Sequence, residues 1–144
     1  MKIIRRKPNE KGFTMIELMV VVVIVGVLAA ISIPLYGKYV KNARVTECTG
    51  RIGEIITASK AWAMENQDGS GNPTWPAGAG GIVDLGNSDN FSYAFSAGAG
   101  GNALSTALEI TGTGTAGSKM VGVSVVVSVA DIYSSGVAPV VSGL

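Results

Sequence analysis

The chain has 144 residues, enough for one small domain plus an anchor and too few for two sizeable domains. It carries one cysteine, Cys48, and no histidine, which excludes an intrachain disulfide and any histidine-based metal or acid–base chemistry. The formal charge is +1, but residues 1–12 hold Lys2, Arg5, Arg6, Lys7 and Lys11 against Glu10, while from Phe13 onward six Lys/Arg oppose nine Asp/Glu. The part beyond residue 12 is therefore mildly acidic, without a general attraction for nucleic acid or anionic headgroups, and no specific nucleic-acid partner is predicted.

After the basic start comes a run without charge, from Leu18 to Gly37. In a helix, about 20 residues at about 1.5 Å each span roughly 30 Å, the thickness of a bilayer's hydrocarbon core. An ordinary secretory signal places its cleavage site after such an apolar core. Here the small residue, Gly12, precedes it. A cut at Gly12 would leave the apolar segment on the product and make residues 1–12 a cytoplasmic basic leader. The five leader cations outnumber Lys38, Lys41 and Arg44 on the far side, so the positive-inside rule favours a cytoplasmic N-terminus. Charge and hydropathy alone also allow a single-pass anchor that is never processed.

The stretch Lys11-Gly12-Phe13-Thr14-Met15-Ile16-Glu17-Leu18, placed between a basic leader and an apolar helix, resembles the type IV pilin and pseudopilin family. The resemblance implies a prepilin held in the inner membrane, cut after Gly12 by a prepilin peptidase and methylated on the new amine of Phe13. It further implies an inner-membrane assembly machinery and a homopolymer that emerges as an extracellular pilus, or as a periplasmic pseudopilus in type II secretion. Many type IV pilins close a C-terminal loop with a disulfide; with Cys48 alone, this chain departs from them.

Glu17 is a carboxylate at the edge of the apolar segment, where charged groups are costly and usually have a partner. Two readings stand. In one, it sits in the first helical turn near the headgroups and is stabilised by the helix dipole. In the other, implied by the resemblance, it neutralises the Phe13 amine of a neighbouring subunit during assembly. Further along, Pro34 removes the hydrogen bond to the Ala30 carbonyl and crowds that turn, so a bend or local loss of helix is expected near 30–34. Gly26 is a second weak point. In related filaments the stretch between such a glycine and proline can lose helicity.

From Lys38 the pattern becomes amphipathic. Val45, Cys48, Ile52, Ile55, Ser59 and Trp62 recur at steps of three and four. The helix is expected to run from Phe13 to about Asn66, ending in the turn formers 66–73. Cys48 lies on the stripe and reads as a small buried apolar residue rather than a reactive thiol.

Beyond Gly71 the composition shifts to Gly, Ala, Ser, Thr and Val. The pentapeptide at 77–81 recurs at 97–101, and both copies read as flexible loops. Alternation predicts strands over Phe91 to Phe95, Leu104 to Thr111 and Met120 to Val129, with a hairpin at 112–118 and a last short strand within 137–141. The organisation is a leader (1–12), a membrane and assembly helix (13–37), an amphipathic helix (38–67) and Gly-rich loops with an antiparallel sheet (68–144). The fold class is α+β, which matches the pilin fold in order and size.

No catalytic constellation stands out, and the chain does not read as an enzyme. Asp84, Asp89, Glu109 and Asp131 lack the close-set ligands of an EF-hand loop; calcium is the one cofactor considered, since some major pseudopilins bind it near the C-terminus. Asn90-Phe91-Ser92 matches the glycosylation sequon. The leading function is a major pilin subunit. The alternatives are a type II secretion pseudopilin and a membrane-tethered binding domain that never polymerises.

Overall fold

The computed structural model describes residues 12–78 and 88–144. The chain divides into two compact units, one ending at Lys38 and the other starting at Tyr39. One helix, α1 (Met15–Glu65), contributes to both, and the sheet belongs wholly to the second.

The helix starts two residues later than its composition suggests and ends one residue earlier. Thr14 fixes the start by capping. At the other end, the Asn66 backbone N–H donates to the Trp62 carbonyl at 3.0 Å and its side-chain amide donates to the same oxygen at 2.8 Å. Asp68 then turns the chain, with Oδ1 accepting from the backbone N–H of Ser70 (2.8 Å) and Asn72 (2.9 Å). This is the Asx chemistry that stops helices. Hydroxyls along α1 bond to the carbonyl one turn back; Ser59, the one buried polar residue among the described residues, donates to Ile55 at 2.8 Å and so carries no unpaired group.

In the second unit a four-stranded antiparallel meander forms in the order β1 (Phe91–Ala97), β2 (Leu108–Gly114), β3 (Ser124–Val129) and β4 (Val140–Ser142). Alternation puts Phe91 and Tyr93, Leu108 and Ile110, and Val125, Val127 and Val129 on the buried face. Against them packs the α1 stripe of Cys48, Ile52, Ile55, Ile56, Ser59 and Ala63. The expected α+β architecture is therefore present. Trp62, read as part of that stripe, is only half-buried, and Ala63 holds the buried position instead.

Three expectations for this unit are corrected. Leu104 and Thr106 are not in a strand. Asn102 draws that stretch into a turn, its carbonyl accepting from the N–H of Ser105 and Thr106 and its Oδ1 from the N–H of Leu104 at 2.8 Å. β2 thus begins at Leu108 and runs through the intended hairpin as far as Gly114. The hairpin falls later, at 115–123, so Met120 to Val123 belong to it, and Val121 is 60% exposed rather than a member of the buried row. The last strand is β4, shifted toward the C-terminus.

The copy of the repeat at 97–101 is a tightly bonded turn, not a flexible loop. Gly98 and Gly100 both take φ of 75°, and the Gly101 N–H donates to the Gly98 carbonyl at 3.0 Å. This turn clasps Trp75, whose N–H donates to the Gly101 carbonyl at 2.7 Å and whose indole N–H donates to the Thr106 carbonyl at 2.6 Å. Trp75, 1% exposed, is the largest fully buried side chain, and the periodicity of the sequence gave no sign of it. Of the other copy, residues 79–81 lie outside the described residues.

Candidate functional site: the amino-terminal helix

The first unit has an unusual surface. Every side chain from Phe13 to Tyr39 is exposed, including Phe13 at 86% and Tyr39 at 70%, and Val20 to Val25 are all at least half exposed. Contiguous apolar surface of this size is not left in water; it marks a membrane or protein contact. Among the described residues α1 is the one helix long and apolar enough to cross a membrane, and none of its apolar window is buried.

The start of the helix is built with more detail than its hydropathy requires. The Thr14 backbone N–H donates to Glu17 Oε2 at 2.9 Å, and the Thr14 hydroxyl donates to the same oxygen at 2.7 Å. In return the Glu17 N–H donates to the Thr14 hydroxyl oxygen at 3.3 Å. This is a capping box, Thr-x-x-Glu, which satisfies free donors of the first turn reciprocally. Glu17 also places negative charge at the positive end of the helix dipole. Within one chain, then, Glu17 is held by its own first turn. The Thr-x-x-Glu spacing was visible in the sequence, but its capping role was not read there.

Gly12 and Phe13 precede the helix and are exposed, and a Cβ on Gly12 would meet nothing within 4 Å. Gly26 faces open space as well. α1 is continuous through Gly26 and Pro34 in the single chain, without the local loss of helix that is one of the two expectations for 30–34. Just before the proline, the Ser32 hydroxyl donates to the Leu28 carbonyl at 2.8 Å.

The other candidates do not converge. Among the described residues no group of three or more His, Cys, Asp or Glu is placed to hold a metal ion. Asp131 is occupied in its own turn, with Oδ1 accepting from the N–H of Tyr133 and Ser134, and Asp84 lies outside the described residues. Cys48 is fully buried, and burial pushes its thiol up to about 11, as expected of a packing residue.

These features define a class: a subunit carrying one uncovered apolar helix, capped by a threonine–glutamate pair, ahead of a small α+β unit. Comparison with known sequences narrows it. The family model described as the prokaryotic N-terminal methylation motif matches residues 7–33. The chain is 41% identical over 63 residues to the type IV major fimbrial protein FimA of Dichelobacter nodosus, covering 44% of this chain and 40% of that one. It is 42% identical over 59 residues to a fimbrial protein of Pseudomonas aeruginosa (41% and 38% covered) and 40% identical over 65 residues to the type IV major pilin protein PilA of Myxococcus xanthus (45% and 30% covered). The chain thus matches these relatives over less than half of their length. No solved structure matches it. Over its N-terminal part, through the methylation motif and these relatives, the chain is similar to type IV pilins.

Proposed function

We propose that this chain is the major structural subunit of a type IV pilus-like filament and has no catalytic role. The observation that carries the reading is the uncovered apolar helix behind the methylation motif. In the membrane, lipid covers it. Outside the membrane, only equivalent helices from many copies can cover it, so extraction from lipid is offset by burial in a filament core. The relatives' names, fimbrial protein and major pilin, support a surface pilus over a periplasmic pseudopilus.

In this reading a prepilin peptidase cuts the inner-membrane precursor after Gly12 and Phe13 is methylated. Assembly then brings the Phe13 amine of one copy to the Glu17 carboxylate of another. The capping box uses Glu17 Oε2, leaving Oε1 for that amine. A local loss of helix between Gly26 and Pro34 belongs to the assembled state, where neighbouring helices supply packing that the single chain lacks.

The test is intact mass and N-terminal sequencing of protein sheared from the cell surface. A chain that starts at methylated Phe13 in that fraction is the expected result. An intact Met1 start found only in membranes would overturn both processing and polymerisation.

A further inference from the structure

Among the described residues, several charges of the second unit have no ion-pair partner. Glu47, Glu54 and Glu65 are all exposed and stand 7 and 11 residues apart on α1. Those spacings are close to two and three helical turns, so the three carboxylates share one face. Beside this ridge lies an open groove of about 420 Å³ lined by Glu47, Gly50, Arg51, Glu54, Ser88 and Tyr93. Gly50 widens it, since a Cβ there would meet nothing within 4 Å. Arg51 Nη1 bonds to Glu54 Oε2 at 2.7 Å, while no cation pairs with Glu47 among the described residues. Glu65 stands in the last turn of α1, where the dipole disfavours an acid and no basic residue compensates.

One to two turns before the groove the sign reverses. Lys41 is exposed and Arg44 half-buried, and among the described residues neither forms an ion pair. Lys41 and Arg44 lie seven and four residues before Cys48, on the helical face that the sheet covers from Cys48 onward.

We infer that this groove receives the Lys41 and Arg44 side chains of a second copy of the chain and thereby sets the stagger between neighbouring subunits. The inference rests on the filament reading above. A second copy is the occupant that charge complementarity selects, because every subunit presents both the cations and the groove. In the filament reading the Phe13 amine–Glu17 pairing sets register at the head of the helices, and a second charge contact in the soluble unit would set it there as well. Opposite charges at a protein interface contribute modestly to affinity but strongly to register, because a shifted neighbour brings like charges together. With parallel helices, moving from the Lys41–Arg44 pair to the groove centre near Gly50 corresponds to an axial step of about 11 Å between the paired copies.

Wild-type filaments, treated with a zero-length carbodiimide and digested, test this directly. Within one chain Lys41 and Glu54 are about 20 Å apart along the helix, too far for a direct amide bond, so a Lys41–Glu54 cross-link joins two copies. That cross-link is the expected product; intact filaments that lack it overturn the inference and leave the filament reading standing. Charge reversal gives a second arm. Lys41→Glu with Arg44→Glu is expected to lower the sheared fraction at least roughly tenfold at unchanged membrane levels of subunit, and adding Glu47→Lys with Glu54→Lys to restore it to within about threefold. Undiminished filaments from the first variant would overturn the inference. A wild-type chain absent from the sheared fraction would instead overturn the filament reading.

Discussion

Gly112 of β2 lies directly against Cys48 of α1: a Cβ built on the glycine would stand 2.4 Å from the thiol sulfur, with Tyr93 and Ile52 at 3.3 and 3.4 Å. No side chain fits between helix and sheet at this point. Gly112→Ala should therefore destabilise the soluble unit by about 1–3 kcal/mol, the usual cost of overpacking a core. Thermal unfolding of the detergent-solubilised chain measures it. In a Cys48→Ala background the same change should cost markedly less, since the clash partner is gone. Equal costs in both backgrounds would mean that the strain lies elsewhere.

The same buried thiol makes a prediction about pH. Its folded-state value of about 11 lies above the ordinary thiol range, and burial raises the Tyr93 hydroxyl as well. A group raised on folding contributes stability that is fully present below its unfolded value and is lost as pH climbs through the folded one. The domain should accordingly lose stability between about pH 9 and pH 11, and Cys48→Ala should flatten that slope. At neutral pH the thiol should resist alkylation in the native chain and react once the chain is unfolded, which a mass shift reads directly.

At the acid end the turn after α1 is the sensitive element. Backbone N–H groups of Asn72 and Ser70 hold the Asp68 carboxyl below its usual range. A carboxylate depressed on folding contributes stability present above its unfolded value, near 3.9, and lost as pH falls through the folded one. Below about pH 4 the amides of Ser70 and Asn72 should lose exchange protection before those of β2 and β3 do. Asp68→Ala should produce the same loss at neutral pH.

Glycines separate two physical roles. At Gly98 a Cβ would stand 1.8 Å from the Ala107 carbonyl oxygen, on a backbone at φ +75°, so Gly98→Ala should break the turn that clasps Trp75. A Cβ on Gly53, inside α1, meets nothing within 4 Å. Gly53→Ala should therefore stabilise the single chain by up to about 1 kcal/mol through helix propensity. Comparing the two melting temperatures tests both assignments at once.

For the capping box, Glu17→Gln separates geometry from charge, because glutamine completes a capping box as glutamate does. Helicity at residues 15–18 in micelles should survive Glu17→Gln and fray in Glu17→Ala. If Glu17 pairs with the Phe13 amine of a neighbouring copy, as proposed, surface filaments should be lost in both, because that pairing uses the negative charge. Filaments of normal yield from Glu17→Gln would assign Glu17 a capping role alone.

Much of this architecture is legible along the chain because it rests on local periodicity. The uncharged run from Leu18 to Gly37 fixes a membrane-length helix, the three-and-four spacing from Val45 to Ile55 fixes its buried face, and the alternation of Phe91 to Phe95 fixes a strand. The segment that holds Gly12, Phe13 and Glu17 is legible for another reason: it is a short local pattern, which the methylation-motif model matches within residues 7–33. Strand limits were less accessible. Leu104 alternates correctly with Leu108, yet the Asn102 carbonyl and side chain hold it in a turn, and a local hydrogen bond of that kind leaves no periodic trace.

By itself, then, the sequence determined the order of segments, the apolar helix and the residues at its head, because hydropathy and motif spacing act over a few helical turns. Only the tertiary structure decided which glycines are tight and which are open, that Trp75 rather than Trp62 anchors the core, and that the repeat at 97–101 is a hydrogen-bonded turn around Trp75. It also brought Ser88 and Tyr93 alongside Glu47 and Glu54 to form one groove. Each of these depends on residues tens of positions apart coming within a few ångströms, a relation set by packing that no local pattern encodes.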